Sequence, residues 1–187
     1  LKMVDLPRPN CGSEEVLIRV LATSLNFADT LLISGKYQEK PDLPFAPGME
    51  ICGTVEKRGK DVSKFVIGQR IVAYVGVGGL AEFVAVKQDL CFSVPDNISN
   101  EKAASLLIAY GSTELALNYK AKLKKKETLL VLGASGGVGL SAIQIGKAMG
   151  AFVVAIARGK QKCLLTKSMG ADLIFDSDCV NLKNELS

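Results

Sequence analysis

The 187-residue sequence contains no histidine. This removes the usual zinc ligand and the commonest general base, so any chemistry must proceed without imidazole. Cysteine is sparse and badly spaced for a framework. The five residues, at positions 11, 52, 91, 163 and 179, are odd in number and never form a C-x-x-C pair. That pattern argues against a disulfide scaffold and a zinc ribbon, and favours a reducing compartment. Long apolar runs are also lacking. Phe152–Ala157 is far too short to cross a bilayer, and Lys or Arg interrupts the chain before about 20 apolar residues accumulate, so no membrane span is expected. No internal repeat, low-complexity segment, signal peptide or transit peptide is visible.

What is present describes a globular chain. Apolar residues make up 48% and the net charge is +4, a balance that supports a packed core rather than disorder. The one charge run, Leu123–Glu127, follows Lys120 and Lys122 but has no interleaved aromatics. It reads as a solvated loop, and no nucleic-acid partner is expected. To about residue 98 the chain alternates short β-type runs with Gly, Pro and Asp turns: VLIRVLA, ICGTVEKRG, GQRIVAYV, GGLAEFVAV and DLCFSVP. This predicts a compact β-rich barrel or sandwich, interrupted by a helix over Asn26–Ser34 that Gly35 stops. Beyond Pro95 the pattern changes. Ser99 is placed to cap a helix through EKAASLLIAY, and a second helical segment is expected after Gly111. ETLLVLG, VGLSAIQIGKAMG, AFVVAIA, KQKCLLTKSMG and DLIFD then alternate strand and helix, which predicts a parallel sheet covered by helices. The expected class is α/β, with a β-rich domain over residues 1–98 and a nucleotide-binding domain over residues 99–187.

The run LLVLGASGGVG carries the strongest chemical signal. Ala134-x-Gly136-x-x-Gly139 follows a strand and opens a helix, the setting in which such a triplet holds a dinucleotide pyrophosphate. Ser135, Gly137 and Val138 complete the loop, and the helix beginning near Gly137 should aim free N–H groups and a positive dipole end at phosphate. An NAD-type site places an Asp or Glu about 20 residues further on, at the end of the second strand, to bind the ribose 2′-hydroxyl. Between Glu127 and Asp172 there is no carboxylate. ARGKQK instead sets Arg158, Lys160 and Lys162 where a 2′-phosphate would lie, so NADP(H) is expected over NAD(H).

LNFADTLLISGKY, PFAPGMEICGTV, GQRIVAY, GGLAEFVAV, LLVLGASGGVG and MGADLIFD resemble, in this order, signature stretches of the medium-chain dehydrogenase/reductase superfamily. The resemblance is greatest to its zinc-free quinone oxidoreductase (zeta-crystallin-like) branch and covers nearly the whole chain. It implies a GroES-like domain followed by a Rossmann domain, a doubly wound parallel sheet. Zinc-dependent members have a catalytic cysteine where this chain has Asn26 and a Gly-His-Glu where it has Gly48-Met49-Glu50. Asn and Met do not replace those ligands, and the lobe carrying a structural zinc is absent, so no metal site and no zinc-assisted alcohol oxidation are expected.

The implied activity is direct hydride transfer from NADPH to a small-molecule quinone or α,β-unsaturated carbonyl. Asn26, Tyr37 and Thr113 are the residues to which the resemblance points for catalysis. Asn26 and Thr113 are also placed to cap helices, and Tyr37 to sit in a surface turn. Relatives carry a second tyrosine where this chain has Leu31, which implies a more apolar acceptor pocket. The resemblance further implies truncation at both ends, with the first strands of the GroES-like domain and the second half of the Rossmann domain missing. The alternative expectation is therefore a non-catalytic remnant with weak or no nucleotide binding. A full-length parent is expected to be a homo-oligomer in the cytoplasm or, its N-terminus being unread, the mitochondrion.

Overall fold

The computed structural model describes residues 1–178; Cys179 and the remainder of the 99–187 domain lie outside the described residues. The chain divides into two units, residues 1–108 and residues 109 onward. In the first, β1 (Glu15–Thr23), β2 (Glu50–Arg58), β3 (Arg70–Tyr74), β4 (Phe83–Lys87) and β5 (Cys91–Ser93) form one antiparallel sheet in the order β4-β1-β2-β3-β5. Every β-type run in this part of the sequence holds one of these strands. Val16 and Ile18 of β1, Ile51 and Val55 of β2, and Ile71 and Ala73 of β3 point to one face and pack with Val62, Phe65, Val86 and Cys91. Each large aliphatic side chain so buried contributes about 1.5–3 kcal/mol. Register shifts at Leu17/Ile18 and Val20/Ala22 break the β1–β2 ladder, which bends and twists the sheet there.

The opposite face explains where the first unit ends. Cys52 and Val72 alternate with the residues above and pack on Ala103 and Ala104 of α2 (Asn100–Ala104). The division therefore falls after Ile108 rather than at Ser99, because α2 completes the core of the β-rich unit. Ser99 caps α2, accepting from the Lys102 N–H at 3.4 Å. The helix does not run on through EKAASLLIAY, however. The Ser105 hydroxyl and N–H both turn back to the Lys102 carbonyl, at 2.9 and 3.2 Å, and such local bonding competes with helix propagation. Between β1 and β2, α1 (Phe27–Ile33) begins at its N-cap Asn26 and stops at Gly35, whose φ is +67°.

The second unit opens with α3 (Ala109–Glu114), so Gly111 lies inside this helix rather than before it; a π-helical turn, Leu115–Lys120, follows. β6 (Thr128–Leu132), β7 (Phe152–Ala157) and β8 (Leu173–Asp176) then form a parallel sheet in that order. Parallel neighbours require a crossover, and α4 (Gly137–Ala148) and α5 (Lys160–Ser168) supply the two. On α4 the buried Gly139, Ile143 and Gly146 form a stripe at i, i+4 and i+7. Val131, Ala134, Ile143, Ala151, Val153 and Ala155 make the core. The result is a βαβαβ half of a Rossmann-type sheet.

Candidate functional site

In the second unit, β6 ends at Leu132 and the chain turns at Gly133, with φ +63°. The Ala134 N–H donates to the Ile156 carbonyl at 2.9 Å, tying the loop to β7. Gly136 is the N-cap of α4 and its carbonyl accepts from the Leu140 N–H at 2.8 Å. A Cβ at Gly139 would lie 2.7 Å from both Ala134 Cα and the Gly133 oxygen, so only glycine lets helix and loop approach this closely. Ala134 and Gly139 are buried, whereas Ser135 is half-buried and Gly136, Gly137 and Val138 are exposed. The loop thus splits into residues that hold its shape and residues that offer backbone to a ligand. The first turn of an α-helix leaves N–H groups without intrahelical partners. Gly136 has no side chain to occupy them, and no acidic residue sits in the first turn of α4. Glycine backbone, unoccupied donors and a positive helix end suit a pyrophosphate.

The turn after β7 stands beside this loop, at the carboxyl end of the neighbouring strand. Arg158, Lys160 and Lys162 are all exposed there, with Gly159 at φ +84° between β7 and α5. Although residues 128–171 hold no carboxylate, the fold brings one to the turn from β8: Asp176 Oδ1 accepts from the Gly159 N–H at 2.9 Å. Local sequence could not reveal this contact, because it spans 17 residues.

Thr113 lies within α3 and is only 2% exposed. It does not cap the helix. Its hydroxyl donates back to the Ala109 carbonyl at 2.9 Å or pairs with Ser141 Oγ of α4 at 2.6 Å. Ser141 in turn lies 2.9 Å from the Val138 carbonyl. The two buried hydroxyls therefore couple α3 to the first turns of α4, and Ser141 is a partner that the sequence pattern did not single out.

In the first unit, Asn26 shares a capping box with Asp29 at the start of α1, and its side chain is also held from beneath. Its Nδ2 donates to Glu50 Oε1 at 3.0 Å and to Ser24 Oγ at 3.2 Å, and the Ser24 hydroxyl also donates to Glu50 Oε1. Glu50 is 1% exposed, and its second oxygen accepts from the Ile108 N–H at 3.0 Å. Asp29, equally buried, accepts from the N–H groups of Asn26 at 2.8 Å and Gly48 at 2.9 Å. The signal for both acids was a single carboxyl residue inside an otherwise apolar stretch, NFADTLL and PGMEICG.

Tyr37 lies past the other end of α1, half-buried, with its N–H donating to the Leu31 carbonyl at 3.2 Å. Burial raises the pKa of Tyr74, and Glu39 and Tyr37 nearby raise it further. A cavity of about 240 Å³ is lined by Leu32, Glu39, Lys40, Pro41, Val75 and Val77.

The residues do not fit a metal. Asn26 and the buried Met49 stand at the implied ligand positions, and neither an amide nor a thioether is a usual zinc donor. Among the described residues no group of three His, Cys, Asp or Glu is placed to hold an ion. Burial raises the Cys52 thiol above its ordinary pKa and pushes Cys91 up to about 12, so both are packing groups rather than thiolates.

An antiparallel β-rich unit joined to a βαβαβ unit with a glycine loop defines a class, the two-domain nucleotide-dependent dehydrogenases and reductases. Family models agree in both parts: residues 12–96 match the alcohol dehydrogenase GroES-like domain, and residues 137–187 match the zinc-binding dehydrogenase family. The chain belongs to the medium-chain dehydrogenase/reductase superfamily, in its quinone oxidoreductase branch. It is 39% identical to quinone oxidoreductase-like protein 2 of Rattus norvegicus over 88% of this chain and 47% of the relative. Identity to the quinone oxidoreductase of Mus musculus is 37%, over 92% of this chain and 52% of that protein. The chain spans about half the length of the curated relatives it matches. Among solved structures, the quinone oxidoreductase of Thermus thermophilus, studied also in its complex with NADPH, matches with a TM-score of 0.86 and 36% identity, over 99% of this chain and 59% of that one. The Escherichia coli quinone oxidoreductase complexed with NADPH matches with a TM-score of 0.92 and 29% identity, over 98% and 56%.

Proposed function

We propose that this chain is the GroES-like and pyrophosphate-binding portion of an NADPH-dependent reductase that passes hydride directly, without zinc, to a quinone or α,β-unsaturated carbonyl. The observation that carries the reading is the loop Ala134–Gly139, open at Gly136–Val138 beside a turn bearing Arg158, Lys160 and Lys162. Ser135, Gly137 and Val138 would take the pyrophosphate on backbone N–H groups, with Gly136, whose own N–H donates to the Gly133 carbonyl at 3.1 Å, leaving room for its approach; the basic turn would take the 2′-phosphate. The complexes of related quinone oxidoreductases with NADPH support that cofactor.

When bound, the nicotinamide supplies the hydride, and an acceptor that is already electrophilic needs no Lewis acid. The protein's contribution is to orient the acceptor and exclude water. We assign that task in the first unit to Asn26, whose amide can both donate and accept, and to Tyr37 through its ring and hydroxyl. Ser24, Glu50 and Asp29 hold Asn26 in place. Thr113 acts from inside the second unit by fixing α4 through Ser141.

Thermal unfolding with each nucleotide tests the reading. A ligand at 100 times its Kd stabilises by about 2.7 kcal/mol, so NADPH should raise the Tm of the 187-residue chain by several degrees and NADH by clearly less at equal concentration. Equal protection, or greater protection by NADH, contradicts it.

A further inference from the structure

We infer that Asp176, at the end of β8, is the positioning residue that sets selectivity for a 2′-phosphorylated nucleotide, by holding the turn from which Arg158 and Lys160 project. The inference rests on the proposed nucleotide site but concerns a residue outside both the glycine loop and the basic run.

Arg158 is followed by Gly159, which sits at φ +84° and ψ 151°, a region that glycine alone enters readily and from which it escapes as readily. The end of β8 removes that freedom. On one side of Arg158, the Ala157 carbonyl accepts from the Ser177 N–H at 3.0 Å. On the other, the Gly159 N–H donates to Asp176 Oδ1 at 2.9 Å. The same oxygen accepts from the Asp178 N–H at 3.1 Å, so the carboxyl group is itself held. The Gly159 carbonyl then accepts from the Cys163 N–H at 3.1 Å and starts α5. The backbone is thus pinned before and after Arg158, and both basic side chains leave from a single turn conformation. A guanidinium fork and an ammonium aimed from a fixed turn lose less entropy on meeting a phosphate than the same groups on a mobile glycine hinge.

A carboxyl group here can act on a 2′-phosphate in two opposite ways. As an acceptor it orders the turn and favours the phosphate; as a negative charge it repels it. Two backbone N–H groups already engage the near oxygen, which disperses that charge, and ordering dominates. The two effects separate by substitution, because Asp176→Asn keeps an oxygen for Gly159 and removes the charge, whereas Asp176→Ala removes both.

The test is the ratio of the NADH Kd to the NADPH Kd, measured by fluorescence titration of the 187-residue chain and its variants. A ratio within one variant cancels any loss of folded fraction. The unsubstituted chain should prefer NADPH at least tenfold. Asp176→Ala should lower the ratio at least fivefold, and Asp176→Asn should keep it within twofold. Gly159→Ala, which strains the same turn without touching Asp176, should lower it as Asp176→Ala does and gives the answer if Asp176→Ala does not fold. A ratio unchanged or raised in Asp176→Ala, an equal fall in Asp176→Asn, or an unchanged ratio in Gly159→Ala would overturn the inference while leaving the nucleotide site standing. Failure of the unsubstituted chain to bind either nucleotide would overturn both.

Discussion

Glu50 is the side chain on which the first unit's polar architecture turns. It is buried, and its two oxygens answer donors from three places: Ser24 and Asn26 after β1, and the Ile108 backbone beyond α2. Removing it leaves those half-buried donors unpaired beside a cavity, and losing a hydrogen bond to a charged partner costs about 1.5–3 kcal/mol. Glu50→Ala should therefore destabilise the chain by about 2–4 kcal/mol in denaturant unfolding, and Glu50→Gln by less, since one acceptor oxygen survives. A change within about 0.5 kcal/mol for Glu50→Ala would contradict the assigned bonding. At this scale the sequence was only partly legible. Asn26 was identifiable as a polar residue at a helix start, and Met49 as a residue that is not a zinc ligand. The place of Asn26 at the cap of α1 was legible, but its contact with Glu50 was not, because that partner lies 24 residues away on another strand.

Elements carry the next level of constraint, and α4 shows it most clearly. Its glycines are not equivalent. A Cβ on Gly139 would press on backbone at 2.7 Å, which cannot yield without moving the phosphate loop, whereas a Cβ on Gly137 would meet only the Ala109 Cβ at 3.9 Å. Overpacking of this kind costs about 1–3 kcal/mol, so Gly139→Ala should lower stability by that amount and weaken NADPH binding. Gly137→Ala should be neutral or stabilise by up to about 1 kcal/mol, because alanine loses less entropy in a helix. Matching losses in the two variants, read by chemical denaturation, would refute the distinction. The strands and α4, α5 and α1 were all legible as periodic runs between turn residues. The break between α2 and α3 was not, since Ser105 bends the chain through bonds that compete with an otherwise helical apolar run. Placing Thr113 at a helix start failed for the same reason: α3 begins two residues before Gly111.

Across the whole molecule, the sequence reading of a β-rich unit followed by a βαβαβ unit agrees with the structure because each depends on short-range periodicity and on turns. Two features depended on contacts that no local pattern encodes. α2 joins the first unit through Ala103 and Ala104, which moves the division to Ile108, and Asp176 reaches the turn after β7 from the next strand. The central claim is that the glycine loop and the basic turn together hold NADP(H). It is tested most directly by titrating the ¹⁵N-labelled 187-residue chain with NADPH and following its backbone amide resonances. The account predicts saturable shifts at Ser135–Val138 and at Arg158–Lys160, with the latter set reduced when NADH is used instead. Saturable shifts confined to other residues, or none at all, would contradict it.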